Sequence, residues 1–208
     1  EFEVVAHRQE EQWKTAEEPR GLYLSQDQRY LYVATYKGGT LERIDLDDGT
    51  QKILSQQGGS MRHIVADETR GVLFISDMRR GCIWKYDIAS ETMEKFVSTE
   101  SHPNTIVLSP DKKLLFVSNR GRNNPGSYIV SGPEFGVVQV FDTTTGTLLD
   151  ALVGKNQPTG LDISHDGVYL ASSDFLDANI NVYGVPKTEV FLQGASPATK
   201  NYRSLMQK

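Results

Sequence analysis

Four segments of the chain repeat one pattern at a nearly fixed spacing, and this repeat constrains the fold more than any other feature. The first set of matched positions is Leu22, Ile64, Ile106 and Leu161, and the second set is Ile44, Tyr86, Phe141 and Tyr183. Successive members lie about 42 residues apart, a period typical of propeller blades and of helical arrays. One gap in each set is longer by about 13 residues, the length of an uncommonly long loop. These extra residues fall in the third repeat, between Val117 and Val137.

Short apolar runs within each repeat decide between these two architectures. The second run is rich in Val, Ile, Tyr and Phe and covers Tyr30–Ala34, Val72–Ser76, Leu114–Ser118 and Tyr169–Ser173. Runs of this length and composition favour strands over helices. A weaker fourth run follows in every repeat, at Lys52–Leu54, Lys95–Val97, Ala151–Val153 and Val190–Leu192. Four strands in each repeat predict an all-β chain of four consecutive four-stranded propeller blades.

The third repeat also carries a family resemblance. It reads Ser109-Pro-Asp-Lys-Lys-Leu-Leu-Phe-Val-Ser-Asn and then Val138-Gln-Val-Phe-Asp-Thr-Thr-Thr-Gly-Thr. In these residues it resembles the YVTN-type β-propeller repeat, which is similar to the seven-bladed lactonase-like propellers. The resemblance covers residues 19–192 and is loosest in the second repeat, where Asp67-Glu-Thr-Arg replaces Ser-Pro-Asp-Gly. It favours a location outside the cytoplasm, in the periplasm or at the cell surface.

The repeat predicts blades at about residues 19–57, 58–99, 100–154 and 155–194. Residues 1–18 are predicted to form a tail with one outer strand at Phe2–Ala6, and residues 195–208 a second tail. A seven-bladed ring would need about 300 residues at this pitch. The 208 residues therefore form part of a larger ring, close with four blades, or assemble with a partner that completes the ring. An open stack would expose apolar flanks, which favours assembly.

Composition excludes several classes of protein. The net charge of −5, from 22 Lys and Arg against 27 Asp and Glu, argues against nucleic-acid binding. A single cysteine, Cys82, excludes an internal disulfide and a multi-cysteine metal site. No apolar run approaches the roughly 18 residues of a membrane helix, so no membrane span is expected. Because no phosphate loop or metal-binding motif occurs, no cofactor and no metal are expected.

Blade geometry places two kinds of loop on one face, here called the top face. These loops precede the first strand of each blade or join its second and third strands. Their cations are Arg20, Lys37, Arg62, Arg79, Arg80, Arg120, Arg122 and Lys155. Cations clustered over a concave face attract anions. The alternative is that these charges are scattered over the loops and are only solvated by water.

The predicted ligand-binding residues all belong to this face: Arg62, His63, His102, Asn104, Asn119, Arg120 and Arg122. Arg120 and Arg122 lie in the insertion of the third repeat, and loops of such length are often functional. Their guanidinium groups could pair with carboxylate or phosphate. A passive surface insertion is the alternative.

Two functions are compatible with these residues. The first is a non-enzymatic scaffold whose top-face loops bind a protein partner or a small anionic ligand. The second, implied by the resemblance alone, is a lactonase-type hydrolase that opens a small anionic lactone. In it, His102 or His63 would be the catalytic base, and Arg62 or Arg120 would stabilise the oxyanion. Because an incomplete ring would lack residues from missing blades, we favour the scaffold.

Overall fold

The structure, a computed structural model that describes residues 11–193 and 201–208, is built of four antiparallel sheets. Each sheet contains strands that are consecutive in the chain, and we call the sheets blades 1 to 4. Blade 1 comprises β1 (Pro19–Leu24), β2 (Tyr30–Thr35), β3 (Thr40–Asp45) and β4 (Gln51–Gln56). Blade 2 comprises β5 (Met61–Asp67), β6 (Val72–Asp77), β7 (Cys82–Asp87) and β8 (Thr92–Ser98). Blade 3 comprises β9 (Pro103–Leu108), β10 (Leu114–Asn119), β11 (Val137–Asp142) and β12 (Leu148–Val153). Blade 4 comprises β13 (Pro158–Ile163), β14 (Tyr169–Asp174) and β15 (Asn179–Gly184).

A Ser-x-Asp turn joins the first two strands in blades 1, 3 and 4. In blade 3 the Ser109 hydroxyl donates to the Asp111 carboxylate at 2.6 Å and accepts the Leu114 N–H at 3.0 Å. These side-chain bonds replace ladder bonds where the chain reverses. Blade 2 has no serine at this position, and Asp67 accepts the Arg70 N–H at 3.2 Å instead. The same hairpin thus forms from the repeat that matches the others least.

Three apolar clusters fill the spaces between neighbouring blades. Phe74 is fully buried in the cluster between blades 2 and 3, where it packs with residues of both blades. Phe116, at the same position one repeat later, is buried between blades 3 and 4. The structure therefore confirms the predicted propeller blades and the burial of both rings between them.

The prediction of a fourth strand in blade 4 is wrong. Residues Val190–Leu192, where that strand was expected, belong to the short helix α1 (Thr188–Leu192). Pro186, just before the helix, has no N–H to donate to a strand ladder. The helical turn buries Phe191 in the cluster between blades 3 and 4, while Val190 and Leu192 stay exposed.

A second short helix, α2 (Tyr202–Met206), lies in the C-terminal tail and packs on β12. Tyr202 and Met206 are buried there against Val137 and Ala151. The outer strand predicted at Phe2–Ala6 lies outside the described residues. Within residues 11–193 and 201–208, no helix has the length and apolar character needed to cross a membrane.

Candidate functional site

A β-bulge at the start of the first strand brings arginines to the top face. In blade 1, Pro19 and Gly21 pair with consecutive residues of β2, so Arg20 between them is left without a partner. In blade 2, Arg62 is left unpaired in the same way between Met61 and His63. Bulges bend a strand and redirect the side chain of the extra residue. Both side chains line one cavity at the top face.

The residue before the first strand of each blade is hydrogen-bonded to the start of the loop that follows the second strand of the same blade. Its carbonyl accepts the N–H of the residue that follows the second strand, at 2.8 Å for Glu18 and Tyr36 and at 3.2 Å for His102 and Arg120. Glu18 and His102 both have a φ of 59°, in the left-handed region. Such a conformation costs roughly 1–3 kcal/mol in a residue other than glycine and is common at functional sites. The bond places Arg120 beside His102.

The cavity formed in this way has a volume of about 660 Å³ and receives side chains from all four blades. Its walls come largely from three repeat positions: the residue before the first strand, the bulge and the residue after the second strand. The lining residues are Arg20, Tyr36, Ser60, Arg62, Met78, Arg79, His102, Arg120, Asn123, Tyr128, Thr159 and Phe175. Several hundred Å³ is the size of a small-molecule site.

Two of the arginines that line this cavity, Arg62 and Arg120, are held by neutral partners. Arg62 donates through Nε to the Asn104 side-chain oxygen at 2.7 Å, and Arg120 donates to the Gln157 side-chain oxygen. Neither arginine forms an ion pair with any residue in the described part of the chain. Arg20 lies 3.9 Å from the Glu18 carboxylate, in a pair that is about half exposed. The cavity therefore carries positive charge that its own side chains leave largely uncompensated.

Burial and repulsion from a neighbouring arginine both lower the pKa values of Arg62 and Arg120. Burial lowers the pKa of Arg62, and the charge of Arg20 lowers it further. Burial also lowers the pKa of Arg120, and the charge of Arg62 adds to this effect. A guanidinium nevertheless stays protonated in proteins, so the repulsion remains. A bound anion would relieve it.

Aromatic rings orient two of the arginines. The Arg20 guanidinium lies 5.1 Å from the centre of the Tyr36 ring, and that of Arg120 lies 5.7 Å from Tyr128 and 6.0 Å from Phe175. These distances are in the range of cation–π contacts. The buried Nε of Arg120 has no hydrogen-bond partner among the described residues.

The two candidate histidines occupy different surroundings. His102 lines the main cavity, and its Nδ1 lies 3.0 Å from the Gly121 carbonyl oxygen. Because a carbonyl only accepts, Nδ1 is the donor in this bond, and in the neutral tautomer that fits it Nε2 carries the lone pair. His63 lines a smaller cavity of about 240 Å³ with Arg62 and Asn104, and burial lowers its pKa.

Two predicted ligand residues lie outside both cavities. Asn119 is fully buried and donates to the carbonyls of Val117 and Val137, so it ties β10 to β11. Arg122 forms a 2.9 Å ion pair with Glu134, whose carboxylate also accepts the Arg122 N–H at 2.9 Å. The structure thus brings together Arg62, His102 and Arg120, with His63 and Asn104 next to them.

The insertion between β10 and β11 reaches over the cavity, as its position in the repeat predicts. Tyr128 and Asn123 line the cavity, and the Tyr128 carbonyl accepts a 2.6 Å bond from the Gln157 amide. Three further lining residues were not predicted as site residues: Tyr36, Met78 and Phe175. They occupy the repeat position of Arg120, so the spacing of the repeats would have located them. No cluster of metal-ligating side chains is found within residues 11–193 and 201–208.

Comparison with known proteins gives one clear sequence relative. The chain is 42% identical over 175 residues to antigen Lp49 of Leptospira interrogans serogroup Icterohaemorrhagiae serovar copenhageni. The match covers 79% of this chain and 38% of the antigen. The chain therefore spans less than two fifths of the length of this curated relative. No family model matches the chain.

Solved structures with the same fold are more distant in sequence. A candidate 6-phosphogluconolactonase from Bacteroides uniformis superposes with a TM-score of 0.63 at 19% identity, over 81% of this chain and 51% of that protein. Kuenenia stuttgartiensis hydrazine synthase gives a TM-score of 0.67 at 18% identity, over 88% of this chain and 57% of that chain. At these identities the likeness shows the propeller fold alone, with lactonase-like proteins among those that share it.

Proposed function

We propose that the chain is the ligand-binding part of a YVTN-type propeller and that it binds a small anion at the top-face cavity without transforming it. The observation that carries this proposal is the pair Arg62 and Arg120, whose charges converge on one cavity and are bonded to amide oxygens rather than to carboxylates. Burying a charge without a partner is unfavourable, and a ligand of opposite charge removes that penalty. The planar guanidinium groups favour carboxylate or phosphate oxygens, which accept two parallel bonds.

Titration calorimetry with inorganic phosphate and with succinate tests this proposal. We expect Arg62→Gln and Arg120→Gln each to weaken binding about 10- to 100-fold, since a hydrogen bond to a charged group contributes about 1.5–3 kcal/mol. Affinity should also fall as salt is added, because salt screens the attraction.

Arg29→Gln serves as the matched control. Arg29 pairs with Asp45 at 2.9 Å, away from the cavity, so its loss should leave anion affinity unchanged. If neither anion binds, or if Arg29→Gln weakens binding as much as the cavity variants do, the proposed site is wrong.

His102 supports a second candidate function, the hydrolysis of an anionic lactone. Its Nε2 could take a proton from a water that attacks the lactone carbonyl, and Arg62 or Arg120 could stabilise the oxyanion. The ring ester bond then breaks, and His102 returns the proton to the leaving alkoxide. The B. uniformis neighbour carries the name of such an activity. Ring opening of a phosphorylated lactone that His102→Gln abolishes would favour this function over binding alone.

A further inference from the structure

The top-face cavity is larger than the anionic group that its arginines would hold. Its volume of about 660 Å³ lies within the range of sites for drug-sized molecules, roughly 300–1,000 Å³. A phosphate group is a single phosphorus atom with its oxygens, so it would fill only a small fraction of this volume. The rest of the cavity is available to the body of a ligand that carries the anionic group.

One repeat position supplies much of the apolar lining of this cavity. The residue that follows the second strand is Tyr36 in blade 1, Met78 in blade 2 and Phe175 in blade 4. Arg120 occupies this position in blade 3, and Tyr128 of the insertion lies beside it. The side chains of Phe175 and Tyr128 are 52% and 58% exposed. Apolar side chains that are exposed together often mark a ligand-binding groove, because a ligand can still cover them.

Charged and apolar side chains lie at different distances from the axis of the propeller. The first strands β1, β5, β9 and β13 contact one another from blade to blade, so they surround the axis. Arg20 and Arg62 lie at bulges in two of these strands. Tyr36 and Phe175 follow second strands, which lie one strand further out. A ligand that fits both regions has its anionic group near the axis and an apolar body directed outwards.

Gln157 holds the parts of the apolar region in place. It is 3% exposed, its amide nitrogen donates to the Tyr128 carbonyl at 2.6 Å, and its oxygen accepts from Arg120. One buried side chain thus fixes both the insertion and the guanidinium beneath it. A site that is ordered before binding loses less entropy when the ligand enters.

Arg120 gives this region a preference for flat rings. Its guanidinium lies 5.7 Å from the centre of the Tyr128 ring and 6.0 Å from that of Phe175. A guanidinium stacks on aromatic faces, and aromatic rings pair with one another in offset or edge-to-face arrangements. An aromatic body would therefore gain these contacts in addition to burial, whereas a saturated body would gain burial alone.

We propose that the ligand of the top-face cavity is an anion carried on an aromatic ring, such as an aryl phosphate or an aryl carboxylate. This inference rests on the proposed anion site and adds the body of the ligand to it. The anionic group pairs with the arginines near the axis. The ring lies further out, against Tyr128 and Phe175, so the insertion selects the body of the ligand.

Titration calorimetry of the 208-residue chain with three phosphates tests the proposal. We expect phenyl phosphate to bind about 10-fold or more tightly than inorganic phosphate, since it also buries a ring. Cyclohexyl phosphate has a ring of similar size without aromatic faces. It should bind about 2- to 10-fold more weakly than phenyl phosphate, because the aromatic contacts are absent.

Phe175→Ala tests the contact with the ring. We expect it to reduce the preference for phenyl phosphate over inorganic phosphate about 2- to 10-fold. Tyr169→Ala is the matched control, because Tyr169 begins the strand that Phe175 follows, is 57% exposed and does not line the cavity. The control should keep the wild-type preference, and a preference that falls equally in both variants would overturn the proposal.

The three compounds also distinguish this inference from the anion site on which it rests. If inorganic phosphate binds but phenyl phosphate binds no more tightly, the anion site stands and the aromatic ligand is wrong. Equal affinities for phenyl and cyclohexyl phosphate would overturn the aromatic ligand as well, as would an unchanged preference in Phe175→Ala. If none of the three compounds binds, the anion site itself is wrong.

Discussion

Arg62 and Arg120 are partly buried, and the side chains that hold them carry no charge. Each donates to an amide oxygen, of Asn104 and Gln157 respectively, and neither forms an ion pair among the described residues. An amide fixes the direction of a guanidinium without neutralising it. The buried Nε of Arg120 and the buried Nδ2 of Asn104 also lack partners in the described chain. Polar groups that are oriented but unsatisfied are the form expected of a preorganised anion site.

His63 should make stability depend on pH. Burial lowers its pKa from the ordinary value of 6.5, so between that value and the lowered pKa the unfolded chain binds a proton that the folded chain does not. The contribution of His63 is thus complete above pH 6.5 and is lost as the pH falls towards the lowered pKa. Urea melts should show a larger drop in unfolding free energy between neutral and mildly acidic pH for wild type than for His63→Gln. Equal drops in both proteins would contradict this assignment.

Phe116 should be among the most destabilising positions to truncate. Its ring is 1% exposed and packs between blades 3 and 4, so Phe116→Ala removes an aromatic ring from a tightly filled space. We expect a loss of about 3–5 kcal/mol in the free energy of unfolding, measured by denaturant melts. Phe175→Ala is the control, because Phe175 is half exposed at the cavity and should lose less than about 1 kcal/mol. Similar losses for the two variants would exclude a core role for Phe116.

At the scale of elements, the insertion was located by the sequence but the contacts that hold it were not. The one lengthened gap between matched repeat positions fixes its place between β10 and β11. Its anchors come from distant segments: the Phe135 N–H donates to the Met206 carbonyl at 2.7 Å, and Glu134 pairs with Gln207 in a β-bridge. No periodicity links residues so far apart and outside the repeat. Arg122 was predicted as a ligand residue because the repeat spacing does not reveal its ion pair with Glu134 either.

Removing residues 201–208 should release the insertion. The tail is itself tied to blade 3, where the Tyr202 hydroxyl donates to Glu100 at 2.6 Å and Arg203 to the same carboxylate oxygen at 2.7 Å. Without it, Phe135 loses its bond to the Met206 carbonyl, and the backbone around Arg122, whose side chain is already exposed, is freer to enter a protease active site. We expect trypsin to cleave after Arg122 several times faster in the truncated chain, followed by mass spectrometry. Leu205→Ala, an exposed position on α2, should keep the wild-type rate, and an unchanged rate after truncation would show that the tail does not restrain the insertion.

At the scale of the whole molecule, the repeat spacing predicted the blades because each blade is a local structure. Every strand within residues 11–193 pairs only with its neighbours in the chain, so alternating runs and turns are sufficient to define the sheets. The absence of a fourth strand from blade 4 is caused by Pro186 and by the burial of Phe191 in a helical turn. An apolar run in the sequence does not by itself reveal either cause. The cavity could not be predicted because it forms around the bulges at Arg20 and Arg62. The direction of a side chain at a bulge follows from the register of the backbone rather than from the residue type.

The sequential order of strands also determines how the molecule would respond to mechanical tension. Since no strand within residues 11–193 crosses from one blade to another, a pull applied at residues 11 and 193 loads blades 1 and 4 first. Each blade can be peeled away while the next keeps its own hydrogen bonds, and each release lengthens the chain by about 140 Å at roughly 3.3–3.6 Å per residue. Extension would therefore be absorbed in successive steps rather than in one rupture. A closed ring would lack this response, because every blade would then be held on both sides.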